Sequence, residues 1–171
     1  MKRRVFISFH HGGDQQVVDA FSQQFADSYE VFTDRSLERA ANSDDVDYLA
    51  RVCREAIDGT SVTIVMLGEQ TGCRKFVDWE IQYTLEREHG LLGILRPGLT
   101  LAAACVPPRL AENSYGAAGG RQYAALHGYP SSPMELRIWI EAAATEQKWK
   151  IENSRAKMGR NCTCENGLVG S

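Results

Sequence analysis

The feature that most constrains this chain is the apolar run SVTIVMLG at residues 61–68, set between two segments of helical periodicity. A run this short, rich in β-branched residues and lacking polar alternation, fits a strand buried on both faces. Upstream, Val46, Leu49, Val52, Cys53 and Ile57 recur at helical spacing, with Gly59 as a stop. Downstream, Val77, Ile81 and Leu85 mark a second helix running to about His89, with Gly90 as its stop. The pattern repeats elsewhere. Residues 4–9 read as a first strand, and His11 to Asp14 as a turn with Asp14 capping the next helix. Val17, Val18, Phe21 and Phe25 carry that helix; residues 30–34 read as a second strand and 91–95 as a fourth, ended by Pro97. Alternation of this kind predicts a largely parallel sheet with helices on both faces and right-handed crossovers.

Beyond Pro97 the pattern thins. Residues 98–132 are rich in Gly, Ala, Pro and Ser, with a short strand expected at 102–106. A helix is expected from Pro133 to about Ile151, with Leu136, Trp139, Ile140 and Ala143 on one face. Apolar residues are sparse from Glu152 on. The chain therefore reads as one domain over 1–151 with a flexible tail at 152–171.

Composition excludes several functions. A formal net charge of −3 offers no basic surface for nucleic acid. No apolar run approaches the ~18–20 residues of a membrane span, and the basic start lacks the features of a secretory signal. Five cysteines at irregular spacing imply no disulfide framework, so a cytoplasmic location is expected. Cys162 and Cys164 lack a second pair, so no metal site is expected.

One helix carries a candidate site. In residues 71–83 (TGCRKFVDWEIQY), Phe76, Glu80 and Tyr83 share a stripe beside the core stripe of Val77, Ile81 and Leu85. A carboxylate between two aromatics at the edge of a buried face is either costly or useful. On pattern alone Glu80 also fits a solvated helix face. Trp79, adjacent to Glu80, is expected to point elsewhere, and the acidic residues Asp44, Asp45 and Asp47 suit a helix start without chemistry.

Four segments in order resemble the TIR domains, most nearly the TIR-like branch of the Thoeris anti-phage systems. They are RVFISFH at 4–10, VFTD at 31–34, SVTIVMLG at 61–68 followed by Gln70 and Thr71, and RKFVDWEI at 74–81. The resemblance covers residues 2–95. It implies a flavodoxin-like, three-layer α/β fold with sheet order 2-1-3-4-5, here followed by a C-terminal helix and loose tail. It also implies that Glu80 is the catalytic carboxylate and that Phe9, His10, Asp34 and Phe76 bind substrate. Phe76 stands where many TIR enzymes have Trp. The crevice between the first and third strands would be lined by residues 10–14 and 68–74.

By the same resemblance the activity is cleavage of the nicotinamide–ribose bond of NAD, as substrate and not cofactor, by an NADase or ADP-ribosyl cyclase. A cyclic ADP-ribose-type signal would act on a separate effector protein, with a phage-derived trigger and self-association as further expected interactions. The rival reading is a non-catalytic TIR scaffold. A phospho-receiver lacks its acidic cluster here. A deoxyribosyltransferase would also set a glutamate against a glycosidic bond.

Overall fold

Alternating apolar strands and helices build a five-stranded sheet in the computed structural model, which describes residues 2–31, 44–114, 122–146, 150–165 and 168–169. In chain order the elements are β1 (Arg4–Ser8), α1 (His11–Gln24), β2 (Glu30–Val31), α2 (Val46–Asp58), β3 (Val62–Leu67), α3 (Lys75–Glu86), β4 (Gly90–Leu95), α4 (Pro108–Glu112), β5 (Ala125–His127) and α5 (Pro133–Thr145). A one-turn 3-10 segment, Thr71–Cys73, precedes α3, and β6 (Cys164–Glu165) pairs antiparallel with β7 (Leu168–Val169). The main sheet has the order β2-β1-β3-β4-β5 and every pairing is parallel. The expected flavodoxin-like α/β architecture is the one the chain adopts.

Strand alternation divides the core. Val5, Phe9, Val62, Ile64, Met66, Leu92 and Ile94 face α1 and α5, meeting Val18, Phe21, Phe25, Leu136 and Ile140. Val65, Leu67 and Leu91 face the other way, against Val77, Ile81 and Leu85 of α3 and Leu110 of α4. Phe6 joins that second layer through Ala56 and Ile57 of α2. Strand β3 is buried along its whole length, which is why it shows no polar alternation.

Several local expectations are corrected. Residues 11–14 form the first turn of α1, not a separate turn, and His10 holds the cap position. Asp14 lies buried within that turn and pairs with Arg96 of the loop after β4, at 3.0 Å. The chain leaves α3 through Glu88, at φ +54°, rather than through Gly90. Gly90 opens β4 where α5 passes close: a β-carbon there would lie 2.6 Å from the Ala143 carbonyl oxygen. The fifth strand is Ala125–His127, and residues 102–106 are irregular. The helix from Pro133 ends at Thr145. Asp45 caps α2, accepting from the Asp47 and Tyr48 amides at 3.0 Å each. Among the described residues no helix is long and apolar enough to cross a membrane, and no cluster of metal-ligating side chains occurs.

Candidate active site

Helix α3 is fixed by its inner face. Its core stripe packs on β3, and Thr84 meets Thr63 of that strand while its Oγ1 donates within α3 to the Glu80 carbonyl oxygen at 2.8 Å. That proton being committed, the 2.8 Å contact between Thr63 and Thr84 has Thr63 as donor. The neighbouring stripe then faces α2. Phe76, Glu80 and Tyr83 all line a cavity of about 220 Å³ between the two helices, with Cys53 and Arg54 on the opposite wall. The shared stripe read from spacing therefore becomes a shared surface.

Glu80 is 7% exposed. Its Oε2 accepts a short hydrogen bond from Ser8 Oγ, at the end of β1, and its Oε1 lies 3.6 Å from the Cys53 thiol of α2. Both donors are neutral. With no ion pair to Glu80 among the described residues, burial dominates and pushes the carboxyl up to about 7, while the Ser8 and Cys53 hydrogen bonds pull it back. The Cys53 thiol is itself raised, first by burial and then by the neighbouring carboxylate, so it stays a thiol donor. Tyr83 is oriented by Asp58, to which its hydroxyl donates at 2.9 Å, and by Arg54, 5.6 Å from its ring.

Of the described residues expected to bind substrate, only Phe76 joins Glu80 on the cavity lining. Phe9 turns to the other side of the sheet, buried in the α1/α5 layer with its ring stacked on His11 at 4.0 Å. The reason is strand period: Ser8, not Phe9, points toward α3. His10 folds over the first turn of α1 and is not a wall of the cavity. Its pKa is lowered, by burial first and then by Arg74. Asp34 lies outside the described residues. Trp79, expected to point elsewhere, lines the cavity, and its ring meets Phe76 edge-on at 5.1 Å.

At the strand ends where a crevice between β1 and β3 was expected, Asp14 pairs with Arg96, which also reaches Glu69 at 3.2 Å. Gly68 is required there, because a β-carbon would lie 2.3 Å from Asp14 Oδ2. Ser8 and Cys53 were not singled out by sequence. Period-two alternation could have found Ser8, since Phe6 and Ser8 share a face; Cys53 read only as an apolar mark of α2.

The model of the family described as "Thoeris protein ThsB, TIR-like domain" matches residues 6–100, more than half of the chain. The chain belongs to this family. The matched segment holds Ser8, Cys53, Phe76, Glu80 and Tyr83. A curated relative from Bacillus cereus (strain MSX-D12), named "Putative cyclic ADP-D-ribose synthase ThsB1", is 33% identical over 103 residues. That alignment takes in 55% of this chain and 52% of the relative, so the chain spans about half of that protein's length. Among solved structures, a 3-dehydroquinate dehydratase-like protein from Bifidobacterium longum aligns over 84% of this chain and 96% of its own, with TM-score 0.39 and 10% identity. Likeness at that level carries no argument. The matched segment includes α3, and Glu80 on that helix lines the cavity.

Proposed function

We propose that this protein cleaves the nicotinamide–ribose bond of NAD and forms a cyclic ADP-ribose-type signal in anti-phage defence. One observation carries the reading: the buried Glu80 carboxyl lines an aromatic-walled cavity and is held by two neutral donors. The nicotinamide ring of NAD is itself a pyridinium, and on cleavage it takes the electron pair of the C–N bond and departs neutral. No acid need protonate it, unlike the leaving oxygen in ordinary glycoside hydrolysis, which takes a second carboxyl group. The ribosyl C1′ is left electron-poor, and a single carboxylate beside it stabilises that charge. Among the described residues no cation is ion-paired with Glu80, so its negative charge is not neutralised by a salt bridge. The rings of Phe76, Trp79 and Tyr83 line the cavity and supply aromatic surface against which a flat ring can pack. The cation is then captured by whichever nucleophile is held nearest. An adenine nitrogen or a hydroxyl of the same molecule gives a cyclic product, and water gives ADP-ribose. The name of the Bacillus cereus relative supports cyclisation.

The test is nicotinamide release from NAD by the purified chain, with and without extract of phage-infected cells, followed by chromatography. Glu80→Gln is expected to lower the rate ~100- to 1,000-fold. Equal release by wild type and Glu80→Gln under both conditions would sink the reading and leave a scaffold role. Mass spectrometry of the product separates cyclic from linear ADP-ribose.

A further inference from the structure

The segment after α5 carries few apolar residues, yet it contributes Lys157 to the cavity lining. It crosses α3 on polar anchors. Met158 donates its amide to Asp78 Oδ2 at 2.9 Å and accepts from Trp79 Nε1 at 2.7 Å. Asn161 Oδ1 receives the Lys75 amide at 2.9 Å, at the start of α3. Beneath runs Arg109, fully buried and forked onto Asp78 at 2.9 and 3.3 Å. Its other donors go to Asn153 at 2.7 Å and the Ala156 carbonyl at 3.3 Å. A buried guanidinium leaves donors costly to strand, so this segment's seat is built into the fold.

Seated there, Lys157 lines the cavity, with Nζ 3.9 Å from the centre of the Trp79 ring. Lys75 reaches the same pair of aromatics, 5.1 Å from Phe76 and 5.6 Å from Trp79, and Arg54 stands on the α2 wall. Among the described residues none of these three cations is in an ion pair. Glu86, exposed, is the other carboxylate on the lining. The charge order is therefore a buried carboxyl inside and cations around it toward solvent. A dinucleotide with a cationic ring at one end and a diphosphate next to it has the complementary order. A cavity of about 220 Å³ is smaller than the ~300–1,000 Å³ of pockets that enclose a whole ligand, which leaves the diphosphate at the mouth.

We infer that Lys157 binds the diphosphate of the dinucleotide, so that the C-terminal segment, outside the family-matched residues 6–100, is part of the substrate site. The inference rests on the NAD reading for the identity of the ligand, and its test is separable from that reading. The probe is ADP-ribose, which keeps the diphosphate and lacks nicotinamide, titrated calorimetrically into the full chain. Lys157→Ala is expected to weaken binding about tenfold, the size of one charge-assisted contact. Lys157→Arg should keep affinity within about threefold, since a cation remains. Rising salt should shrink the gap between wild type and Lys157→Ala. For NAD turnover, Lys157→Ala should raise KM and spare kcat. Equal ADP-ribose affinity in wild type and Lys157→Ala, or no binding to wild type, overturns the inference. Equal nicotinamide release by wild type and Glu80→Gln overturns the NAD reading instead, because the ADP-ribose titration does not depend on catalysis.

Discussion

At the scale of the residue, the proposed chemistry rests on one carboxyl group whose pKa is raised to about 7. Glu80, raised to about 7 by burial, is divided between acid and carboxylate at physiological pH, and only the carboxylate can steady a cationic sugar. kcat/KM for NAD is therefore expected to rise as pH passes through about 7 and to level off above it. Ser8 donates to the charged form and holds the pKa down, so Ser8→Ala should shift the rising limb to higher pH. Cys53→Ala should act in the same direction and more weakly, its thiol being a poorer donor at 3.6 Å. A pH–rate profile of the three proteins decides the matter: a limb that stays put in Ser8→Ala would mean another group controls activity. Glu80 itself was legible, because its spacing from Phe76 and Tyr83 survives in any helix. Its two donors come from β1 and α2, and no local pattern announces which strand residue meets which helix residue.

At the scale of the element, α3 works because it is clamped from both sides. Inside, Thr84 and the Val77, Ile81 and Leu85 stripe hold it to β3. Outside, Asp78 ties it to Arg109 and to Met158. The apolar clamp was written in helical spacing, as were most helices, and the first four strands were written in short apolar runs. The polar clamp was not. A run such as residues 152–162 reads as a tail because sequence periodicity reports apolar burial, whereas this stretch is held by hydrogen bonds to a buried ion pair. β5 went unread for a similar reason: a three-residue edge strand carries too little alternation to show. Arg109→Ala is expected to cost about 3–5 kcal/mol, the range for breaking a buried pair while leaving its partner charged. Arg109→Lys should rescue little of it, lacking the fork that reaches Asp78, Asn153 and Ala156 together. Urea unfolding measures the loss, and limited proteolysis should show cleavage within 150–165 rising in both variants. Unchanged stability in Arg109→Ala would mean that the C-terminal segment is not held as the hydrogen bonds indicate.

At the scale of the whole molecule, the same carboxyl that serves the site weakens the fold. A group whose pKa rises from 4.5 to about 7 on folding binds its proton more tightly in the native state. Between those values the native protein holds more protons than the unfolded chain, so this contribution to stability falls as pH rises and is fully lost above about 7. The span corresponds to roughly 3 kcal/mol. His10, His11 and His127 have pKa values lowered by burial and act oppositely: the unfolded chain binds their protons better, so their contribution to stability grows as pH rises toward 6.5. The total pH profile of unfolding therefore mixes both signs, and the informative quantity is a difference. Glu80→Gln keeps the shape and removes the titration, leaving the histidines in place. Its stability relative to wild type should change little near pH 4.5 and increase by roughly 3 kcal/mol at pH 8, read from urea midpoints across that range. A wild type as stable as Glu80→Gln at pH 8 would show that Glu80 ionises without penalty, in contact with water. The buried, destabilised carboxylate that the proposed chemistry requires would then be absent, so a single stability series tests the site's electrostatics without any substrate.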